Sequence, residues 1–282
     1  MSPVRTIVVT GATAGIGLES SLQLGAGGHH LVLVGRSPEK LEAAEDAVRR
    51  AGAARVHSHR ADFASLDSVR ELGRDLLERY GQIDVLVSNA GTVHARRTVT
   101  DDGIEATFQV NHLGGFLLIE MLKRRLVCSA PSRVVITSSV GHLRGTLDLD
   151  DIGFEGGGYS IMNAYARSKL ANVLYARSLA AELASSGVTV NAVHPGSVAT
   201  DIWSGAPWFA RPFMALAKLR MLSPAEGGRV LTHLAVSPDV EGVTGQYFDR
   251  FTPQSPSALA QDDELALRLR DESARLVGLT VP

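Results

Sequence analysis

Short β-branched runs alternate along the chain with longer segments in which apolar positions recur every three or four residues. The strand-like runs cover 6–10, 30–34, 55–59, 83–87, 133–137 and 188–193. Between them the helical period predicts helices near 15–24, 38–50, 66–80, 101–127 and 163–185. Gly25-Ala-Gly-Gly28 closes the first helix and Pro38 opens the second. Beyond the sixth strand come a helix near 224–236, a short strand near 245–248 and a tail helix near 262–276. Strands and helices in strict alternation imply right-handed βαβ units. They predict an α/β fold: a doubly wound parallel sheet of about seven strands with helices on both faces. No linker, repeat or low-complexity tract interrupts the pattern, so residues 1–282 are expected to form a single domain.

Two segments break the alternation. Residues 141–162, with Asp148-Leu-Asp-Asp151 and Gly156-Gly-Gly158, read as a loop between strand and helix. Residues 201–222 carry Trp203, Trp208, Phe209, Phe213 and Met214 between the breakers Pro207 and Pro212. Long excursions from a packed domain often serve as active-site lids, and this one reads as an apolar substrate flap. An amphipathic surface element is the plainer alternative.

Composition narrows the setting. The chain is 45% hydrophobic and 21% charged, ordinary for a globular protein. A net charge of −2 and no basic run longer than Lys123-Arg-Arg125 argue against a nucleic-acid partner. Cys128 is the only cysteine, which excludes an internal disulfide and suits a reducing compartment. No stretch has the length and apolarity of a signal peptide or a transmembrane helix, so a cytoplasmic location is expected.

The chemistry gathers at a few places. Thr10-Gly-Ala-Thr-Ala-Gly-Ile-Gly17 joins the first strand to the first helix. There Gly11 permits a tight turn, Gly15 lets the backbone approach a pyrophosphate, and Gly17 allows close helix–strand packing. The helix start then offers free N–H groups to phosphate. Glycines also mark ordinary turns, but the strand-then-helix context is the one a dinucleotide cradle requires. The second strand ends in Val34-Gly-Arg36, where an acid would bond a ribose 2′-hydroxyl and an arginine accommodates a 2′-phosphate. Arg36, assisted by Lys40, therefore points to NADP(H). Asp62-Phe63 and Asn89-Ala90-Gly91 follow the third and fourth strands, at the strand ends where such sheets bind ligands. Farther on, Tyr165 and Lys169 stand four apart on a helix, which brings their Cβ atoms within roughly 5–6 Å. A nearby ammonium would lower the phenol toward the working pH of a general acid–base catalyst. His57 and His59 would share one strand face, but lack a ligand set and read as surface residues, so no metal is predicted.

Taken in order, Thr10–Gly17, Asp62, Asn89-Ala-Gly91, Asn111, Ser139, Tyr165-x-x-x-Lys169 and Pro195-Gly-Ser-Val-Ala-Thr200 resemble the short-chain dehydrogenase/reductase superfamily over essentially the whole chain. Ser139-Val-Gly-His142 and Tyr165-Ala-Arg-Ser-Lys-Leu-Ala-Asn172 are most similar to its retinol-dehydrogenase-like branch. The resemblance implies a Rossmann fold and a carbonyl–alcohol oxidoreductase. Tyr165 would be the general acid/base, Lys169 would lower its pKa and hold the nicotinamide ribose, and Ser139 would hold the reacting oxygen. Asn111 would position a relay water. Ser138 competes with Ser139, which takes the family position. Cofactor contacts are implied for Gly11, Thr13, Gly15, Ile16, Gly17, Arg36, Lys40, Asp62, Phe63, Asn89, Ala90, Gly91, Tyr165, Lys169, Pro195, Gly196, Val198 and Thr200. Ser88 departs from the family, where many relatives carry asparagine. Pocket logic adds His142, Leu143, Met162, Trp203, Trp208 and Phe209 as walls for a small lipophilic substrate such as a retinoid, steroid or polyketide. A homodimer is expected through the helices near 101–127 and 163–185. Two other readings remain: a non-catalytic NADP(H) sensor, which needs no Tyr–Lys pair, and an epimerase or dehydratase, whose carboxyl-terminal domain is usually longer.

Overall fold

The computed structural model describes residues 3–197 and 222–279. At its centre is β1 (Thr6–Thr10), whose Ile7, Val8 and Val9 are wholly buried. Successive side chains of a strand point to opposite faces. Val8 thus enters one apolar layer and Ile7 and Val9 the other, and the strand needs cover on both sides. To one side lie β2 (His30–Gly35) and β3 (Arg55–Arg60). To the other lie β4 (Val85–Ser88), β5 (Ser132–Thr137), β6 (Val188–His194), β7 (Tyr247–Asp249) and β8 (Thr252–Gln254). Among the described residues the order is β3-β2-β1-β4-β5-β6-β7-β8. Every pairing from β3 through β7 is parallel, and β8 runs antiparallel to β7 at the edge. The seven strands expected thus gain an eighth. Its Thr-Pro-Gln has no apolar pattern because all three residues are exposed.

Helices α1 (Gly15–Ala26), α2 (Pro38–Ala51) and α7 (Pro224–Val236) cover the Ile7 face. On the Val8 face lie α3 (Leu66–Arg79), α5 (Gly114–Cys128), α6 (Ile161–Glu182) and α8 (Asp263–Leu276). Most starts carry a side-chain cap: Ser37, Ser65, Ser160 and Asp262 each accept a first-turn N–H, and Ser223 forms a capping box with Glu226. The long helix predicted from 101 begins later and is broken. Glu105 caps the short α4 (Ala106–Phe108) by accepting from the N–H groups of Thr107 and Phe108. A π turn (Gln109–Leu113) then leads into α5. The predicted loop after β5 opens with a 3-10 turn, Val140–Arg144.

Because the chain returns to start β4 beside β1 after building outward to β3, the strand order reverses between them. That reversal opens a crevice at the carboxyl ends of β1 and β4. The helices expected to pair two copies turn inward instead. Fourteen of the 22 residues of α6 are buried, and α8 packs along it with Leu269 fully enclosed. α8 thus covers part of the α6 surface. Among the described residues, no helix is long and apolar enough to cross a membrane.

Candidate active site

The crevice floor is a glycine turn. Gly11 and Gly15 have φ of +66° and +53°, in the left-handed region that favours glycine. A Cβ at Gly17 would lie 2.2 Å from the Gly11 carbonyl oxygen and 2.7 Å from Asn89 Nδ2, so only glycine lets α1 approach β1 and β4 this closely. Gly35 is as constrained, since its Cβ would meet Thr13 Cγ2 at 2.6 Å. Thr10 laces the strand ends together: its Oγ1 accepts from the N–H groups of Asn89 and Ala90 at 2.9 and 3.0 Å. Asn89 Nδ2 donates to Thr10 O at 3.2 Å, and Asn89 Oδ1 accepts from Thr137 Oγ1 at 3.2 Å. Gly91 closes the segment beside Asn111 Oδ1. Ser88, the departure from the family, points its Oγ at Gly115, where a Cβ would meet it at 2.6 Å.

Unlike most of its neighbours, α1 has no capping side chain, because Ala14 occupies the position. The N–H groups of Gly15, Ile16 and Gly17 at its mouth therefore suit an anion. A glycine cradle that any Cβ would fill, over an uncapped helix start, fits a dinucleotide pyrophosphate. At the end of β2, Arg36 and Lys40 are exposed, and neither side chain has a hydrogen bond or ion pair among the described residues. Arg60, paired in register with Gly35, is exposed at the same edge and was not among the sequence candidates. Asp62 is exposed, with Oδ1 accepting from Ala64 N–H at 3.0 Å. The Phe63 ring is buried and packs on Gly114, which leaves its backbone as the part that could meet a cofactor. Past β6, buried Pro195 leads into Gly196 (φ +100°), over which Leu222 packs, and Leu222 N–H donates to Ser197 O at 2.9 Å. Val198, Thr200 and the flap with Trp203, Trp208 and Phe209 lie outside the described residues.

Beside the crevice, Ser139 Oγ and the ring of the half-buried Tyr165 flank Gly141, and Ser139 Oγ accepts from Gly141 N–H at 3.1 Å. Ser138 turns the other way and donates to Lys169 O at 2.8 Å, so of the two serines only Ser139 faces the phenol. Lys169 is buried. Its Nζ donates to Thr137 O at 3.0 Å and lies 5.6 Å from the Tyr165 ring centroid. Burial lowers Lys169 to about 8. Tyr165 moves opposite to the expected direction: burial raises it, and the Ser139 hydrogen bond only partly offsets this. Enclosure disfavours the phenolate, and the Lys169 ammonium lies across the ring rather than at the hydroxyl. At neutral pH the phenol keeps its proton.

Asn111 sits in the π turn with its side chain fully used. Oδ1 accepts from Thr92 N–H at 2.7 Å, and Nδ2 donates to Thr92 O and Ser168 Oγ, each at 3.0 Å. It fastens the segment after β4 to α6. His142 is corrected as a substrate wall: it is fully buried, with Nδ1 against Ser139 O at 2.7 Å and Nε2 accepting from Ser257 N–H at 3.2 Å. Burial lowers its pKa, and it braces the Ser139 backbone. Leu143 and Met162 are 52% and 54% exposed, the apolar part of the expected wall that the described residues contain. His59 is also corrected, since it is buried with Nε2 3.0 Å from the Tyr80 hydroxyl, while His57 stays exposed and reaches the same hydroxyl at 3.2 Å. The sequence reading passed over Thr10, Thr137, Ser168 and Asn172. For Asn172 a signal existed, because positions three and seven beyond Lys169 and Tyr165 share their helix face.

A nucleotide crevice at a strand-order reversal, with a serine–tyrosine pair and a buried lysine at its side, defines a nicotinamide-dependent oxidoreductase of the α/β class. The family model for short chain dehydrogenases matches residues 5–207, and the chain belongs to that family. It is 39% identical to human retinol dehydrogenase 13 over 99% of this chain and 86% of that protein. It is 41% identical to a Streptomyces sp. (strain C5) protein assigned as a daunorubicin C-13 ketoreductase, over 99% of this chain and 94% of that one. A crystal structure of an uncharacterized protein from Mycobacterium Paratuberculosis superposes with a TM-score of 0.78 at 29% identity, covering 99% of this chain and 95% of the other. Within the family the chain lies in the retinol-dehydrogenase-like branch, whose chemistry is carbonyl–alcohol oxidoreduction with NAD(P)(H).

Proposed function

We propose that the protein is an NADP(H)-dependent carbonyl reductase or alcohol dehydrogenase acting on a bulky lipophilic substrate, with Tyr165 as its general acid/base and residues 1–282 as one catalytic unit. The observation that carries this reading is the placement of Tyr165 beside Ser139 and Lys169 at the side of the crevice. When bound, the nicotinamide supplies or accepts the hydride, which no side chain can do. Ser139 and Tyr165 converge on one substrate oxygen, Ser139 holding it and Tyr165 giving up its proton as a carbonyl becomes an alcohol. Lys169 would hold the nicotinamide ribose beside Tyr165, and the Tyr165 proton given to the substrate would be replaced from solvent. Arg36 and Lys40, without side-chain partners among the described residues, would grip a 2′-phosphate, and Arg60 would add charge at the same edge. The names of the two relatives, a retinol dehydrogenase and a daunorubicin ketoreductase, support a lipophilic substrate, as do the exposed Leu143 and Met162. The free Cys128 suits a cytoplasmic setting.

The test is nicotinamide absorbance in purified protein, with NADPH and NADH each offered a panel of lipophilic aldehydes and ketones. Turnover with NADPH well above NADH is expected. Turnover with NADH alone would overturn the nucleotide assignment, and NADPH binding without turnover on any carbonyl would overturn the reductase reading.

A further inference from the structure

Three candidates stand outside the machinery above. The concavity around Arg229, His233 and Phe251 is lined, among the described residues, by side chains that are all at least partly exposed. The Tyr80 hydroxyl between His57 and His59 is a closed structural contact. The third is a buried polar chain that runs from the tail helix to the lysine, and it leads further.

Asn172 lies one turn beyond Lys169 on α6 and is buried. Its Nδ2 donates to two backbone carbonyls, Asn111 O at 3.0 Å and Thr137 O at 3.1 Å. Carbonyls only accept, so both need the NH2 end of the amide, and this fixes the side-chain orientation. Oδ1 must then face His112 Nδ1, 3.1 Å away, which requires the proton on Nδ1. Nε2 is left as an acceptor, and the Ser273 hydroxyl of α8 supplies a donor at 3.0 Å. Every member of the chain Ser273–His112–Asn172 is buried. Burial also lowers His112 to about 4, so it stays neutral across the working range.

Both carbonyls that Asn172 binds bear on the lysine. Thr137 O is the same oxygen that accepts from Lys169 Nζ. Asn111 O belongs to the π turn, whose side chain fastens the crevice segment to α6. A π turn interrupts the regular hydrogen-bond ladder and is often held by an inserted polar group, here an amide from the neighbouring helix.

Resting on the reading under Proposed function, we infer that Asn172 is a positioning residue of this site, clamping the π turn to the end of β5 so that Lys169 is aimed, and that His112 and Ser273 hold it from α8. The tail helix thus reaches the reacting centre through three side chains. It explains why a helix far along the sequence sends a serine into the core.

The test compares the full-length parent with Asn172→Asp, Asn172→Leu and Ser273→Ala, each shown to be folded by circular dichroism and thermal unfolding. Asn172→Asp keeps the shape and the acceptor for His112 but removes both donors. Misplacing a reacting group by an ångström costs about 100-fold, so both Asn172 variants are expected to lose about that in kcat with carbonyl KM little changed. The alkaline limb of the pH profile should also move, since Lys169 loses a partner of its acceptor. NADPH binding, followed by fluorescence, should weaken severalfold. Ser273→Ala removes one neutral hydrogen bond and should lower kcat by about 5-fold. A purely structural role would lower the melting temperature and leave kcat, pH profile and NADPH affinity at parental values, and that result overturns the inference. Should neither Asn172 variant fold, Ser273→Ala decides on the same readouts. A parent that binds NADPH but reduces no carbonyl sinks the reductase reading, while the affinity comparison still decides the role of Asn172.

Discussion

At the scale of single residues, the account turns on what burial does to Tyr165 and Lys169. A phenol raised by burial is a weaker acid but stays protonated at neutral pH, so it is there to donate and not to accept a proton; carbonyl reduction is expected to dominate there and alcohol oxidation to gain as pH rises. The reductive kcat/KM should fall as Lys169 loses its proton near pH 8, which a pH–rate profile would show. The same shift affects stability. Between about 8 and 10.5 the unfolded chain holds a proton on Lys169 that the folded chain has lost. Stability therefore rises with pH through that window, by ~3 kcal/mol. Denaturant unfolding of Lys169→Met should lack this rise, and an unchanged slope would refute the buried-ammonium assignment. At Arg36 the expectation concerns selectivity. Removing a charge-assisted contact costs about 1.5–3 kcal/mol, so Arg36→Leu should weaken NADPH by about 10–100-fold and leave NADH nearly untouched in parallel binding titrations.

Among the elements, those with strong local signals were legible in the sequence. β1 coincides with its β-branched run, and α7 begins at the Pro224 that follows its capping Ser223. The glycine turn was readable because its constraint is local: two positive φ angles and one forced close approach. Elements set by distant partners were not. The π turn exists where the Ser168 side chain of α6 and the Thr92 backbone after β4 engage Asn111, and β8 exists only because β7 offers an edge. The burial of His142 and Phe63 likewise depends on Ser257 and Gly114, far away in sequence. The expected drop in the Tyr165 pKa failed for the same reason, since helical spacing fixes proximity to Lys169 but not enclosure by the rest of the fold. Two substitutions test the packing. Gly17→Ala forces a methyl against the Gly11 carbonyl, so overpacking should cost about 1–3 kcal/mol and abolish dinucleotide binding. Leu269→Ala opens a cavity between α8 and α6 and should cost about 2–5 kcal/mol in denaturant unfolding.

For the molecule as a whole, the sheet reversal, the glycine cradle and the inward-facing α6 serve one arrangement: a crevice for a dinucleotide with an acid beside it. The closing of α8 over α6 makes the site depend on the tail of the chain. The central claim is that Tyr165 delivers the proton, and its most direct test is one comparison. Parent and Tyr165→Phe are assayed with NADPH and the best carbonyl substrate, with cofactor affinity measured in both. General acid–base catalysis by a positioned side chain contributes about 10²–10⁴-fold. The account predicts that kcat falls by that amount in Tyr165→Phe while NADPH still binds and the melting temperature holds. A variant that binds NADPH and turns over at the parental rate would contradict it.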